Sequence, residues 1–385
     1  MLVYSFYEND NRVMRYAETL VRRGDQVDVF SLRKDGQPFH DAISGVNVYR
    51  IQKRIKNEKG KLSFLFRLTK FLLVSSFFLT KYHIKNHYQV IHVHNVPDFL
   101  VFAAILPKMF GSKIILDIHD IVPELFATSF NKTTDSLLFK SLVAIEKASC
   151  AFANHVIIAN HIWHKIITTR SARENKCSVI LNYPDESVFF KRPRVRQDNK
   201  LIIIYPGSLN LRQGVDIAIK AFALIKDKIR MAEFHIYGEG TDRDYLERLT
   251  IDLGIQDRVL LKGSLPIYEV AEKMANADIG IEPKRNDAFA GDAMSTKILE
   301  FMALGIPVIA SDTRVHKYYF NEPSLLFFKS DDEQDLARCM LLLIENADLR
   351  QKMLLNSGQF VKDCVWDKRK DAYLGLIDRL TNNVT

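Results

Sequence analysis

Asp292 to Ser311 reads DAMSTKILEFMALGIPVIAS. The run ILEFMAL has helical apolar spacing, Gly305 is placed to end that helix, and PVIAS opens a buried strand. The stretch is therefore a loop, a helix and a strand of the kind that builds a parallel sheet. Ser295 and Thr296 are good helix N-caps, and the loop before the helix leaves backbone N–H groups free, the usual setting for an anion. Lys297 adds a cation in the first turn, which suits the helix dipole only when an anion is bound there. Glu300 lies eight positions after Asp292 and one turn into the helix, where it can accept hydrogen bonds from a sugar hydroxyl. A diphosphate joined to a ribose fits this pattern. A capped, well-packed helix with a solvated lysine fits it as well.

Strand and helix patterns of the same kind alternate along the chain, which implies α/β architecture with parallel sheets covered on both faces. In the first half the strands are Leu2–Phe6, Gln26–Leu32, VIHVH ending at His94, KIILDIH, HVIIAN and CSVILN. The helices are Asn11–Arg23, a long one from about Lys61, one from Pro97 to Phe110, and Asp135–Phe152. Pro184–Lys200 is charged and carries Pro193, and reads as a hinge. LIIIYPG opens a fresh alternating series that runs to the apolar helix after Asp331 and a tail around Trp366–Leu380. The expected fold is two doubly wound Rossmann-like domains facing a central cleft. Their expected bounds are residues 1–184, residues 185–365, and a C-terminal helix at 366–385 that packs back on the first domain.

A chain of 385 residues with 47% hydrophobic composition can bury two such cores. The formal net charge of +8 points to acidic partners: nucleotide diphosphates, anionic lipid or nucleic acid. Cys150, Cys177, Cys339 and Cys364 have no paired spacing, which argues against a zinc site or a disulfide framework and suits a reducing cytosol. The opening MLVYSF reads as an apolar strand rather than a signal peptide. No GxxxxGK[ST] sequence occurs, and GxGxxG does not follow the first strand, so ATPase and dinucleotide readings are poor.

Leu62–Thr80, LSFLFRLTKFLLVSSFFLT, approaches the length of a membrane span but holds Arg67 and Lys70 in its middle. On a helix, Ser63, Arg67, Lys70, Lys81 and Lys85 share a narrow stripe, and the rest is rich in Phe and Leu. This suits a helix lying at a membrane interface, helped by the basic run Lys53–Lys61. It also suits a helix packed on a sheet with one edge in water.

Three loops of the second half could gather at strand ends: YPGSLNLRQG with Gly207 and Arg212, YGEG with Gly238 and Gly240, and Asp292–Glu300. In the first half, DIHDIVPELF brings His119, Asp120 and Glu124 to a strand end. His119 and Asp120 could form an oriented acid/base pair, or Asp120 could cap a helix beside an exposed His119. His92, His94 and Asp98 lie near another strand end, but no third metal ligand follows from their spacing.

Together, LDIHDIVPELF, VILNYPDESVF, YPGSLNLRQGVDIAIKAF, IYGEG, RVLLKGSL and STKILEFMALGIPVIAS resemble the retaining, nucleotide-sugar-dependent glycosyltransferases of family four, and DNRVMRYAETLVRRGDQVDVFSL is similar to that family's opening. The resemblance covers nearly the whole chain. It implies a GT-B fold, with donor on the C-terminal domain, acceptor on the N-terminal one, and no metal or other cofactor. It implies that Asp292 touches the transferred sugar and that Glu300 holds the ribose. The amides of Ser295, Thr296 and Lys297 would cradle the diphosphate, and His119 would face the donor sugar. Asp120 and Glu124 would lie on the acceptor side. The implied partners are a nucleotide-sugar donor, a saccharide or lipid-linked saccharide acceptor and an anionic membrane surface, with no nucleic acid. The implied location is cytoplasmic and peripheral on the cell membrane. Three departures stand out. Asp292 replaces the usual Glu, Ser208 and Gln213 stand where the family has Arg and Lys, and YENDN lacks the common glycine pair. Arg212 and Lys297 are the replacements by position. A nucleotide-sugar epimerase and a non-catalytic carbohydrate-binding subunit are the rival readings.

Overall fold

The computed structural model describes residues 1–54, 61–130 and 133–382. Most of the basic run Lys53–Lys61 lies outside the described residues. The chain divides into two compact units, one of Met1–Asn182 with the segment from Lys370 onward, the other of Tyr183–Arg369.

The first unit holds β1 (Leu2–Val3), α1 (Asn11–Arg23), β2 (Asp28–Arg33), β3 (His40–Ile43), β4 (Val46–Lys53), α2 (Lys61–Asn86), β5 (Val90–His94), α3 (Ile105–Met109), β6 (Lys113–Ile118), α4 (Val122–Ser129), α5 (Leu137–Phe152), β7 (His155–Ile158), α6 (His161–Arg170) and β8 (Cys177–Val179). Its sheet runs β3-β4-β2-β1-β5-β6-β7-β8. Among the described residues only the β3–β4 pair is antiparallel. That hairpin was not expected. It turns at Ser44 and Gly45, both with positive φ. β1 is shorter than expected. Pro97–Phe110 is not one helix but a 3-10 segment, Asp98–Ala104, followed by the short α3. Pro107 has no N–H to give to an α-helical ladder, so the tighter winding before it is the natural outcome. Asn160, read as the end of a strand, instead caps α6, its side chain accepting from Trp163 N at 2.8 Å.

The second unit holds β9 (Leu201–Pro206), α7 (Val215–Ile225), β10 (Ala232–Tyr237), α8 (Arg243–Asp252), β11 (Val259–Lys262), α9 (Ile267–Ala275), β12 (Ile279–Glu282), α10 (Thr296–Leu304), β13 (Val308–Ser311), α11 (Arg314–Tyr319), β14 (Leu326–Phe328), α12 (Glu333–Glu345) and α13 (Ala347–Val361). Its sheet is parallel throughout, in the order β11-β10-β9-β12-β13-β14. Apolar residues pack on both faces: Phe222, Phe234 and Met340 belong to one cluster, and Ile204, Phe301 and Val308 to the other. A final helix, α14 (Trp366–Asn382), starts in this unit and continues into the first, where Tyr373 is fully buried.

Pro184–Lys200 has no helix or strand but is not a solvated linker. Val188 and Phe189 are buried in the second core. Arg194 and Arg196 both bind Asp278, at 2.6 and 2.8 Å.

Candidate functional site

In the first unit the site residues stand on β5, β6 and the loops that follow them. Parallel pairing sets His94 beside Asp117. Asp117 is fully buried, and Arg12 of α1 grips it with two hydrogen bonds, of 2.8 and 2.9 Å. Arg12 also reaches Ile180 O at 3.0 Å. His119 Nε2 lies 3.0 Å from Asp117 Oδ2 and 3.1 Å from His94 Nδ1. The side chain of His119 is 20% exposed, so its ring joins a buried charge network to solvent. Burial would raise the Asp117 carboxyl, but Arg12, His119 and hydrogen bonds hold it well below its usual value. Burial and neighbouring His92 push His94 well below the usual imidazole value, so it is neutral at pH 7.

Asn95 fixes the loop bearing His119. Its Oδ1 accepts from the amides of His119 and Asp120 at 2.8 and 3.3 Å, and its Nδ2 donates to Asp120 O at 2.7 Å. Asp120 is thus held through its backbone, and α4 starts after Ile121 with no side-chain cap, so the capping alternative for Asp120 fails. Glu124 is paired with Arg170, which also binds Glu146. That pairing places the Glu124 carboxylate in an ion cluster with Arg170 and Glu146.

The missing third group of the His92–His94 pair is Asp117, brought alongside by β6 rather than by sequence spacing. Asp98 is not part of this cluster, and instead accepts from Asn95 Nδ2 at 2.8 Å. The donor set of two imidazoles and a carboxylate has ligand type in its favour. Both Asp117 oxygens, however, already accept from the Arg12 guanidinium, whose charge opposes a second cation at that place.

In the second unit the three glycine-bearing loops follow β9, β10 and β12. A side-chain carbon on Gly238 would fall 1.8 Å from Gly207 O, and one on Gly240 2.1 Å from Leu209 O. These glycines let the loops after β9 and β10 pack backbone against backbone. Gly207 also borders Lys297: a carbon added there would lie 3.4 Å from Lys297 Nζ.

Ser295 takes the N-cap place of α10, but its side chain makes no capping bond, and its hydroxyl is buried without a hydrogen-bond partner among the described residues. The first-turn amides of α10 therefore carry no side-chain cap. Gly305 ends the helix in a left-handed conformation, as expected. Lys297 is not the solvated lysine of the bland alternative. Its ammonium is 3.1 Å from the fully buried Glu282 and 5.3 Å from the centre of the Tyr205 ring. Burial would lower the Lys297 pKa, yet Glu282 raises it. Lys284, also buried, donates to Ala293 O at 3.0 Å and so holds the loop before α10. Glu300 is half-buried on α10, one turn beyond Thr296. Asp292 is buried and bound by both the Nε and Nη2 of Arg314. Arg212 is half-buried in a 3-10 turn whose carbonyl accepts from Arg285 N at 3.0 Å.

Glu282, Lys284, Arg314, Arg12 and Asn95 were missed by sequence reasoning. Glu282 and Lys284, flanking Pro283 at the end of β12, were the legible ones, as charged groups at a strand end that need a partner. Arg314 offered no local signal.

Residues 10–182 match the family described as Glycosyl transferase 4-like domain, and residues 188–358 match Glycosyl transferases group 1. The chain is a family-four-type glycosyltransferase. It is 28% identical over 309 residues to an uncharacterized glycosyltransferase of Methanocaldococcus jannaschii, covering 77% of this chain and 74% of that one. It is 25% identical over 334 residues to the phosphatidylinositol N-acetylglucosaminyltransferase gpi3 subunit of Schizosaccharomyces pombe, covering 85% and 68%. Among solved structures, Anabaena HepE in complex with UDP and glucose superposes with a TM-score of 0.74 at 16% identity, covering 97% of this chain and 98% of that one. The fold of this glycosyltransferase is of the GT-B type.

Proposed function

We propose that this glycosyltransferase moves a sugar from a nucleotide diphosphate sugar to a saccharide acceptor, with retention at the anomeric carbon, in polysaccharide or glycolipid assembly. The observation that carries the reading is the start of α10, where uncapped first-turn amides meet the Lys297 ammonium and the glycine loop after β9. That is a cradle for a diphosphate. Glu300 holds the ribose hydroxyls. Arg212 and Lys297 stand in for the two cations replaced by Ser208 and Gln213. Departure of the diphosphate builds negative charge there, and fixed donors and cations stabilise it. The sugar carbon becomes electron-poor as its bond to the diphosphate oxygen breaks, and the acceptor oxygen attacks the same face. The acceptor's proton leaves to the departing diphosphate, so no metal or protein nucleophile is required. Asp292, oriented by Arg314, contacts the sugar, while His119 serves the transfer step rather than nucleotide binding.

The relatives support the finer points. HepE is solved with UDP and glucose, which supports a nucleotide-sugar donor. The gpi3 subunit is named for a phosphatidylinositol acceptor, which supports a lipid-linked one. The test is nucleotide diphosphate release from a panel of nucleotide sugars, with and without a lipid-linked saccharide. Acceptor-dependent release is expected. Release with an altered sugar and no need for acceptor indicates an epimerase, and no release from any donor indicates a binding subunit.

A further inference from the structure

One face of the first unit is left uncovered. α2 buries Leu68, Phe71, Ser75, Leu79 and His83, a stripe spaced three and four residues apart. At about 100° per residue, Phe66, Leu73, Phe77 and Ile84 fall on the opposite side, within roughly 40° of one another. There an ordinary surface helix is polar. Here those four are between 62% and 71% exposed. On and just after α3, Met109 and Phe110 are 76% and 72% exposed. An open groove of about 730 Å³ joins the two helices, with Phe77, Thr80 and Ile84 on one side and Phe102, Ile105 and Leu106 on the other.

Along this segment of the sequence the charge has nearly one sign. Between Lys61 and Lys113 every Asp, Glu, Lys or Arg is basic except Asp98, and Asp98 is buried. Lys70, Lys81 and Lys85 are exposed along the edge of the apolar strip. Arg67 is half-buried, with its Nε and Nη2 buried, so the basic stripe read from sequence loses that member. α2 is long and apolar enough to cross a bilayer by length and composition. Its buried stripe is packed against the unit, however, which leaves only one face for lipid.

We propose that α2 and α3 together form a docking face for an anionic bilayer, lying in the headgroup–acyl boundary with an acyl chain seated in the groove. The apolar strip supplies the insertion, and the lysine edge meets anionic headgroups while its stems cover apolar surface. The inference rests on the reading of a lipid-linked acceptor and names the surface that reaches it.

The test is co-sedimentation with vesicles of phosphatidylcholine alone or mixed with phosphatidylglycerol. The wild type is expected to bind only the mixed vesicles, and added salt to release it. A variant carrying Lys70→Gln, Lys81→Gln and Lys85→Gln should weaken partitioning by roughly fivefold per lysine. A variant carrying Leu73→Ser, Phe77→Ser and Met109→Ser should lose it. All six positions are exposed, so both variants should fold. In a Phe77→Trp variant, lipid brominated on its acyl chains should quench the new emission, because native Trp163 and Trp366 are buried at 2% exposure. Wild type left in the supernatant with mixed vesicles at low salt overturns the proposal, as does unquenched emission. So does a dimer that dissociates in the serine variant, since a second copy would then be the occupant. Diphosphate release with a water-soluble acceptor should persist in both variants. Loss of release in the wild type counts against the proposed function instead.

Discussion

Asp117 sits between a guanidinium and three imidazoles, those of His92, His94 and His119, with no exposure of its own. Its bond to Arg12 balances a buried charge, and its contact with His119 Nε2 sets which ring nitrogen holds the proton. Asp117→Asn would leave Arg12 buried and uncompensated, so denaturant unfolding should show a loss of roughly 3–5 kcal/mol. An unchanged midpoint would mean that Arg12 finds another partner. Asp98 gives a prediction of opposite sign. Burial raises its carboxyl to about 7, with Glu146 adding to the rise. Its folded value therefore exceeds its unfolded one. The stability it contributes is full below about pH 4 and is lost as pH rises through 7, by an amount on the order of 4 kcal/mol. Asp98→Asn, which mimics the protonated form, should be more stable than wild type at pH 8 and no more stable at pH 4. Thermal melts at the two values check this, and an equal change at both would remove Asp98 as the cause.

At the scale of elements, α10 was legible because its signals are local: apolar spacing, a Ser before the first turn and Gly305 after the last. What Ser295 does there was not legible. Sequence suggests a cap, whereas the hydroxyl is buried and makes no bond to the first turn. Ser295→Ala should therefore cost under about 0.5 kcal/mol, below the ~1 kcal/mol typical of a lost cap. A full kilocalorie lost in chemical unfolding would restore the capping role. α2 shows the same limit more sharply. Its length and its lysines could be read, but which of its many Phe and Leu residues face the sheet is decided by packing. The hairpin β3–β4 and the break in Pro97–Phe110 were missed for a related reason, since turn geometry and one mid-helix proline outweighed apolar periodicity.

Across the whole molecule, alternation of apolar strands with amphipathic helices was enough to anticipate two doubly wound sheets. The candidate site was half legible. His119, Asp292, Lys297 and Glu300 could be named from motif position, because strand ends and helix starts are where backbone groups and side chains gather. Of their partners only Glu282 had a local signal, as a charge at a strand end; Arg314 beside Asp292, Asn95 beside His119 and Arg12 behind Asp117 come from other elements that only the fold brings together. The account assigns nucleotide binding to the loops of the second unit and transfer to His119 of the first. Calorimetric titration of nucleotide diphosphate into Glu300→Ala and His119→Ala, with transfer assayed on the same samples, tests that division most directly. Glu300→Ala should bind about tenfold or more weakly, since a hydrogen bond to a charged group is worth roughly 1.5–3 kcal/mol. His119→Ala should bind as the wild type does and form little product. Wild-type affinity in Glu300→Ala, or full transfer in His119→Ala, would contradict the account.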